Sequence, residues 1–189
     1  MLTRKACNMK KLLVATFITL VAGFSLAAQE HTGAARNPVA RDPWVTFSSA
    51  PGRFSILVPE TPTDKTDTVP SEHGPYTTHL FVVKAAKSVF LIGWVDYDPS
   101  FNFNPHSELD ANRDNFIKGL GATLINSRAV TIDGFQCLEF DAETADTLYR
   151  SRVYIVGRRP YQLVAGTVKG QDDSLNVTRF FDSFKVKLR

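Results

Sequence analysis

Residues 123–169 read TLINSRAVTI DG FQCLEFDA ETAD TLYRSRVYIV GRRP YQLVAGTVK, where the breaks separate apolar-rich runs from turn-forming residues. The four runs, Thr123 to Ile132, Phe135 to Ala142, Thr147 to Val156 and Tyr161 to Lys169, are rich in β-branched and aromatic residues and are read as strands. Asp133-Gly134 is a strong two-residue hairpin signal, because both positions tolerate the positive φ that such turns need. Connections this short cannot carry a crossover, so neighbouring strands must run antiparallel and the stretch is a meander. That reading decides the fold class.

Working outward toward the N-terminus, Ser88 to Tyr97 alternates two apolar sets. Val89, Leu91 and Val95 lie on one face, and Phe90, Ile92 and Trp94 on the other. A strand apolar on both faces belongs to a sheet covered on both sides. Tyr76 to Lys84 is a second such strand, preceded by a turn-rich loop from Thr61 to Gly74 with a short strand expected at Thr66 to Val69. Trp44 to Phe47, the turn Pro51-Gly52 and Arg53 to Val58 form a hairpin closed by Pro59. Two helices supply the cover. Ser107-Glu108-Leu109-Asp110 resembles a capping box and opens a helix to about Leu120, with Leu109, Phe116, Ile117 and Leu120 as its apolar stripe. After Asp172-Asp173-Ser174, the residues Val177, Phe180, Phe181 and Phe184 recur at helical spacing, with Lys185 and Lys187 placed to complement the helix end.

The first residues carry Arg4, Lys5, Lys10 and Lys11 and no anion, followed by an uncharged run from Leu12 to Leu26 and then Ala27-Ala28. This is the pattern of a secretory signal peptide, with cleavage expected after Ala27. The run is shorter than the roughly 20 apolar residues that span a bilayer. The expected organisation is a signal peptide over residues 1–27, a flexible tether over 28–43, and one domain over 44–189 in the periplasm or outside the cell. The full chain has 22 Lys+Arg against 19 Asp+Glu. Removing the four cations of the signal leaves 18 against 19, so the expected mature chain is near neutral and lacks the basic excess of a nucleic-acid binder. Cys7 leaves as well, and the single remaining Cys137 permits no internal disulfide; it is read as a small packed residue.

Three groups of residues stand out from this frame: Trp44 with Gly52-Arg53-Phe54-Ser55-Ile56 and Pro59; Tyr149 with Arg152 to Gly157 and Tyr161-Gln162-Leu163; and Arg179 to Lys185. With a helix placed before an antiparallel meander, they resemble the PsbP-like superfamily and related bacterial exported proteins over about residues 44–189. The resemblance implies an α+β fold, an α-β-α sandwich around a central, mainly antiparallel sheet with the C-terminal helix packed on it. It also implies a domain without chemistry of its own, since understood members serve as docking subunits, one type on photosystem II and another on the GTPase Ran. No motif carries the binding residues of those members onto this chain.

Searching for chemistry directly, the histidines are His31, His73, His79 and His106. None has the tight ligand spacing of a structural zinc site, although Asp96, Asp98, Asp110 and His106 flank one Pro- and Asn-rich loop. There is no Gly-x-Ser-x-Gly elbow and no His-Glu-x-x-His motif. No catalytic residue, metal or cofactor is therefore expected. The suggestive feature is a polar face on the meander. If Glu143 to Asp146 is the loop, Glu139 stands opposite Arg150 and Cys137 opposite Arg152. Leu138, Phe140, Tyr149, Val153 and Ile155 then form a core face, while Glu139, Arg150, Arg152 and Tyr154 share the other. That face is either a cross-strand ion pair on a partly solvated sheet or a recognition surface of the kind that favours Arg and Tyr. The expected function is a non-enzymatic docking module of the cell envelope with a protein partner. The alternative is a carrier of a small apolar ligand or lipid beneath a helix, which an apolar cavity of several hundred Å³ would favour; an enzyme is a third reading.

Overall fold

The computed structural model describes residues 44–70 and 75–187. The expected signal peptide, its cleavage after Ala27, the tether and His73 lie outside these residues.

The meander is present as read. Strands β6 (Thr123–Ile132), β7 (Phe135–Glu143), β8 (Thr147–Val156) and β9 (Arg159–Val168) pair in sequence, all antiparallel. Asp133 at φ 52 and Gly134 at φ 82 make the tight turn between the first two. The last turn is tighter than expected: Gly157 takes φ 63 and Pro160 already lies in β9, opposite Ile155. The sheet continues from β9 to β5 (Ser88–Tyr97), β4 (Tyr76–Lys84) and β3 (Thr63–Val69), giving seven antiparallel strands in the order β3-β4-β5-β9-β8-β7-β6. The chain thus crosses from β5, next to the central strand β9, to the far edge at β6. The intervening helix α1 (Pro105–Leu120) spans that distance across one face.

Both faces of the sheet are covered, as the two-sided apolar pattern of Ser88 to Tyr97 requires. On one face, Leu109 and Phe116 of α1 pack on Leu80, Leu91, Leu138, Phe140, Val153 and Val164. On the other lies a mixed layer. The hairpin β1 (Val45–Ser49) and β2 (Phe54–Val58) joins a short strand β10 (Lys185–Val186) in a separate small sheet, and α2 (Ser174–Asp182) lies beside it. Phe54, Ile56, Phe180, Phe181 and Phe184 from this layer bury Phe90, Ile92, Trp94, Tyr161 and Leu163. The architecture is an α+β sandwich with helices on both faces of a mainly antiparallel sheet.

Three local expectations change. The cap of α1 is Asn104, whose side chain accepts from the N–H groups of His106 and Ser107. Ser107 is already inside the helix because Pro105 suits its first turn. Helix α2 ends at Ser183, so Phe184, Lys185 and Lys187 lie beyond it, the last two flanking the end of β10 rather than a helix terminus. The Ser183 hydroxyl accepts from the Leu57 N–H at 2.9 Å, and this long-range bond turns the chain onto β2. The third is the meander register. The ladder closes at Glu143 with Leu148, one residue later than the expected loop. Asp146 accepts from the Thr144 and Thr147 hydroxyls, and the Thr144 N–H bonds the Thr147 carbonyl, so the turn is built on Thr144 to Thr147. Glu139 therefore faces Arg152, Asp141 faces Arg150, and Cys137 faces Tyr154. A slip of two positions keeps every side chain on its own face.

Candidate interaction site

The α2 side of the sheet is wider than the layer that covers it. Across β6, β7 and β8 the strands run past α2, and the uncovered part of that face forms a groove of about 360 Å³. Its floor carries Asn126 and Arg128 from β6, Glu139 and Asp141 from β7, and Arg150 and Arg152 from β8, with Phe181 of α2 as a wall. Alternation along each strand puts these side chains on one face because residues two apart point the same way.

The charges are arranged as two units side by side along β7. Glu139 is chelated from both sides. Arg128 donates through Nε and Nη2 to one oxygen at 2.9 and 2.6 Å, and Arg152 donates through Nε to the other at 2.8 Å, with its Nη2 2.7 Å from the same oxygen. Asp141 accepts from the Asn126 amide at 2.9 Å and from Arg150 Nε at 3.3 Å. Partial burial pushes the Glu139 carboxyl up, but Arg128 and Arg152 together outweigh it and hold the group below the usual carboxylate range. Glu139 is thus an ionised acceptor, poorly suited to taking a proton near neutral pH. Arg152 also sits over the Phe181 ring, 5.1 Å from its centroid.

Of the four expected surface residues, three line this groove. Tyr154 does not. It is buried against Phe184, with ring centroids 5.1 Å apart, and its hydroxyl accepts from Arg152 Nη1 at 3.2 Å. Burial pushes its phenol up to about 12, against the lowering effect of Arg152. Tyr154 therefore positions Arg152 from within the core. Asn126, Arg128 and Asp141 carry no signal in the sequence, which offers Phe181 only as part of a helix's apolar stripe. The first three alternate with apolar or small neighbours like any sheet residue, and only the register brings them together.

The remaining candidates are placed as follows. Cys137 is buried, and burial pushes its thiol up to about 11, which disfavours a reactive thiolate. His79 stacks on Trp94 at 4.1 Å between centroids and lies 3.3 Å from Asp96, whose other oxygen holds Arg159 at 2.5 Å. His106 is exposed in the first turn of α1. Asp98 folds back on Ser100. Among the described residues, no three His, Cys, Asp or Glu side chains converge in a way that could hold a metal ion, and no helix is long and apolar enough to cross a membrane.

No protein-family model matches the chain, and no characterised protein matches it in sequence. Solved structures do match. The solution structure of cyanobacterial PsbP (CyanoP) from Synechocystis sp. PCC 6803 superposes with a TM-score of 0.54 at 12% identity, over 81% of this chain and 98% of that one. A crystal structure from Bacteroides thetaiotaomicron VPI-5482 matches at a TM-score of 0.43 and 16% identity, over 76% of this chain and 48% of that one. The first likeness shows a PsbP-like fold.

Proposed function

We propose that the protein is an exported, non-enzymatic docking module of the bacterial cell envelope, and that the groove between α2 and strands β6 to β8 receives its protein partner. The observation that carries this reading is the make-up of the groove: three arginines and two carboxylates, all mutually paired and one arginine backed by an aromatic wall. Side chains already held in place lose little freedom when a partner docks, and arginine is enriched at the energetic centres of interfaces. The groove lining is ionic rather than apolar, which supports docking over carriage of a small apolar ligand. Of the large apolar side chains exposed among the described residues, all aliphatic, Leu124 and Ile125 adjoin on β6, while Val45, Leu148 and Leu175 lie on three other elements. Export rests on the signal-peptide pattern of residues 1–27.

The test is site-specific photo-crosslinking from the groove rim in cells, comparing wild type with Arg152→Ala and with Arg150→Glu. Arg150 is more than half exposed, so its reversal, which sets a second carboxylate opposite Asp141, should cost under about 1 kcal/mol, and the melting temperature of the variant checks that it stays folded. Both variants are expected to lose the cross-linked partner. An unchanged set of cross-linked proteins in both would remove the proposal.

A further inference from the structure

The two edges of the main sheet are built differently. The β3 edge, Thr63–Val69, carries Asp64, Lys65 and Asp67 within seven residues. Charged side chains on an edge are a standard guard against further strand pairing. The β6 edge, Thr123–Ile132, is ten residues long and carries one charge, Arg128, among Leu124, Ile125, Ala129, Val130 and Ile132. Most of it is exposed, and no described element lies along its outer side. A bulge at Ile125 interrupts the ladder between Leu124 and Asn126; Asn126 to Ile132 then pairs with β7 without a break, its one charge Arg128, with Arg113 of α1 reaching Ser127 Oγ at 3.2 Å.

We infer that this run of β6 is a strand-addition site for an extended peptide segment carrying an acidic side chain on the groove side. The inference rests on the docking reading of the groove and names the form its partner takes. Backbone N–H and C=O groups on the free edge supply affinity without regard to sequence, and the side chains beside the edge supply selectivity. On the groove face the charged side chain nearest an added strand is Arg128, 74% exposed. It spends Nε and Nη2 on Glu139, so its remaining N–H groups are left to solvent. Arg150 stands on the same floor, two strands in. The groove face thus carries three arginines against two carboxylates, so an added acidic side chain completes the balance and an added basic one opposes it.

The same charge argues against a second copy of this chain as the occupant. A two-fold antiparallel pairing of Asn126 to Ile132 centres on Ala129. It sets Arg128 of each copy opposite Val130 of the other, with the two guanidinium groups diagonal neighbours on one face. Diagonal neighbours are within reach of long side chains, so the two like charges repel where an acidic side chain from another partner would be attracted.

The probes are short fluorescent peptides of alternating threonine and valine, with a central Glu, Gln or Lys. Binding to the mature protein is followed by fluorescence anisotropy, and β6 amide exchange by mass spectrometry with and without peptide. The Glu peptide is expected to bind about tenfold or more tighter than the Lys peptide, a difference of about 1.4 kcal/mol. The β6 amides should slow in exchange only when it is bound. Arg128→Glu should invert the preference, and Ala129→Lys should weaken all three peptides while leaving the melting temperature unchanged. Equal affinities, unprotected β6 amides, or concentration-dependent self-association that Ala129→Lys abolishes would each overturn the inference. Arg150→Glu separates the two proposals: partner loss in cells without any peptide protection of β6 leaves the docking reading standing and removes strand addition.

Discussion

At the scale of single residues, burial pushes two carboxyl groups up, and their partners decide the net direction of each. Glu108, in the first turn of α1, is buried; it accepts from the Tyr97 hydroxyl at 2.5 Å and from the Asn112 amide at 3.0 Å. Burial pushes its carboxyl up, and the two hydrogen bonds offset only part of that. Glu139 is held down by its two arginines. A folded-state value raised above the unfolded one contributes stability below the unfolded value and loses it as pH rises through the folded value; a lowered one does the reverse. Glu108 therefore weakens the fold from mild acid toward neutral pH, whereas the Glu139 contribution is complete at neutral pH and is lost in acid. Glu108→Gln keeps an acceptor for Tyr97 and removes the charge. Melting temperatures taken from about pH 5 to about pH 8 should show the variant gaining on wild type as pH rises. Parallel curves would contradict the assignment. Glu108→Ala, which strips Tyr97 and Asn112 of their acceptor, should cost about 1–3 kcal/mol at any pH in that range.

At the scale of elements, Gly52 shows what a turn residue does beyond turning. An added Cβ there would stand 2.6 Å from the Phe54 ring and 2.8 Å from Ser49 Oγ. The Gly52 N–H donates to that same hydroxyl, and its carbonyl accepts from the buried Tyr161 hydroxyl at 2.8 Å. It is Arg53, at φ 51, that takes the left-handed conformation. Gly52→Ala should therefore cost about 1–3 kcal/mol through overpacking, measured by chemical denaturation. A neutral result would mean that the hairpin moves freely on the sheet. This element also marks how far sequence reading reaches. The strands, the meander and the apolar helix stripes are legible because each rests on local periodicity and turn chemistry. What was not legible depends on distant partners: the Ser183 bond to Leu57 that ends α2, the pairing of β10 with β2, and the placement of β5 beside β9. The groove was half legible. Its face follows from alternation alone, but its pairs depend on where Asp146 closes the turn, and its extent depends on how far α2 reaches across the sheet.

At the scale of the whole molecule, one sheet divides two apolar cores and is itself the connection between them. Phe116 packs edge-on against Phe140 and Tyr149 on the α1 side, while Phe180 packs against Phe90 and Phe181 on the other. The two phenylalanines share no ring partner, so their contributions to stability should be independent. Cooperativity is a separate matter. Strand β5 is buried on both faces, and losing either cover exposes its apolar residues to water. Phe116→Leu and Phe180→Leu should each cost about 1–2 kcal/mol. The double variant should equal their sum to within about 0.5 kcal/mol, in one unfolding transition seen alike by tryptophan fluorescence and circular dichroism. Two separated transitions would mean that α2 and the small sheet melt away from the main sheet on their own. The groove would then lose its Phe181 wall before the strands that form its floor. A single transition ties the groove to global stability, and it makes loss of partner by Arg150→Glu in a fully folded chain attributable to the surface itself.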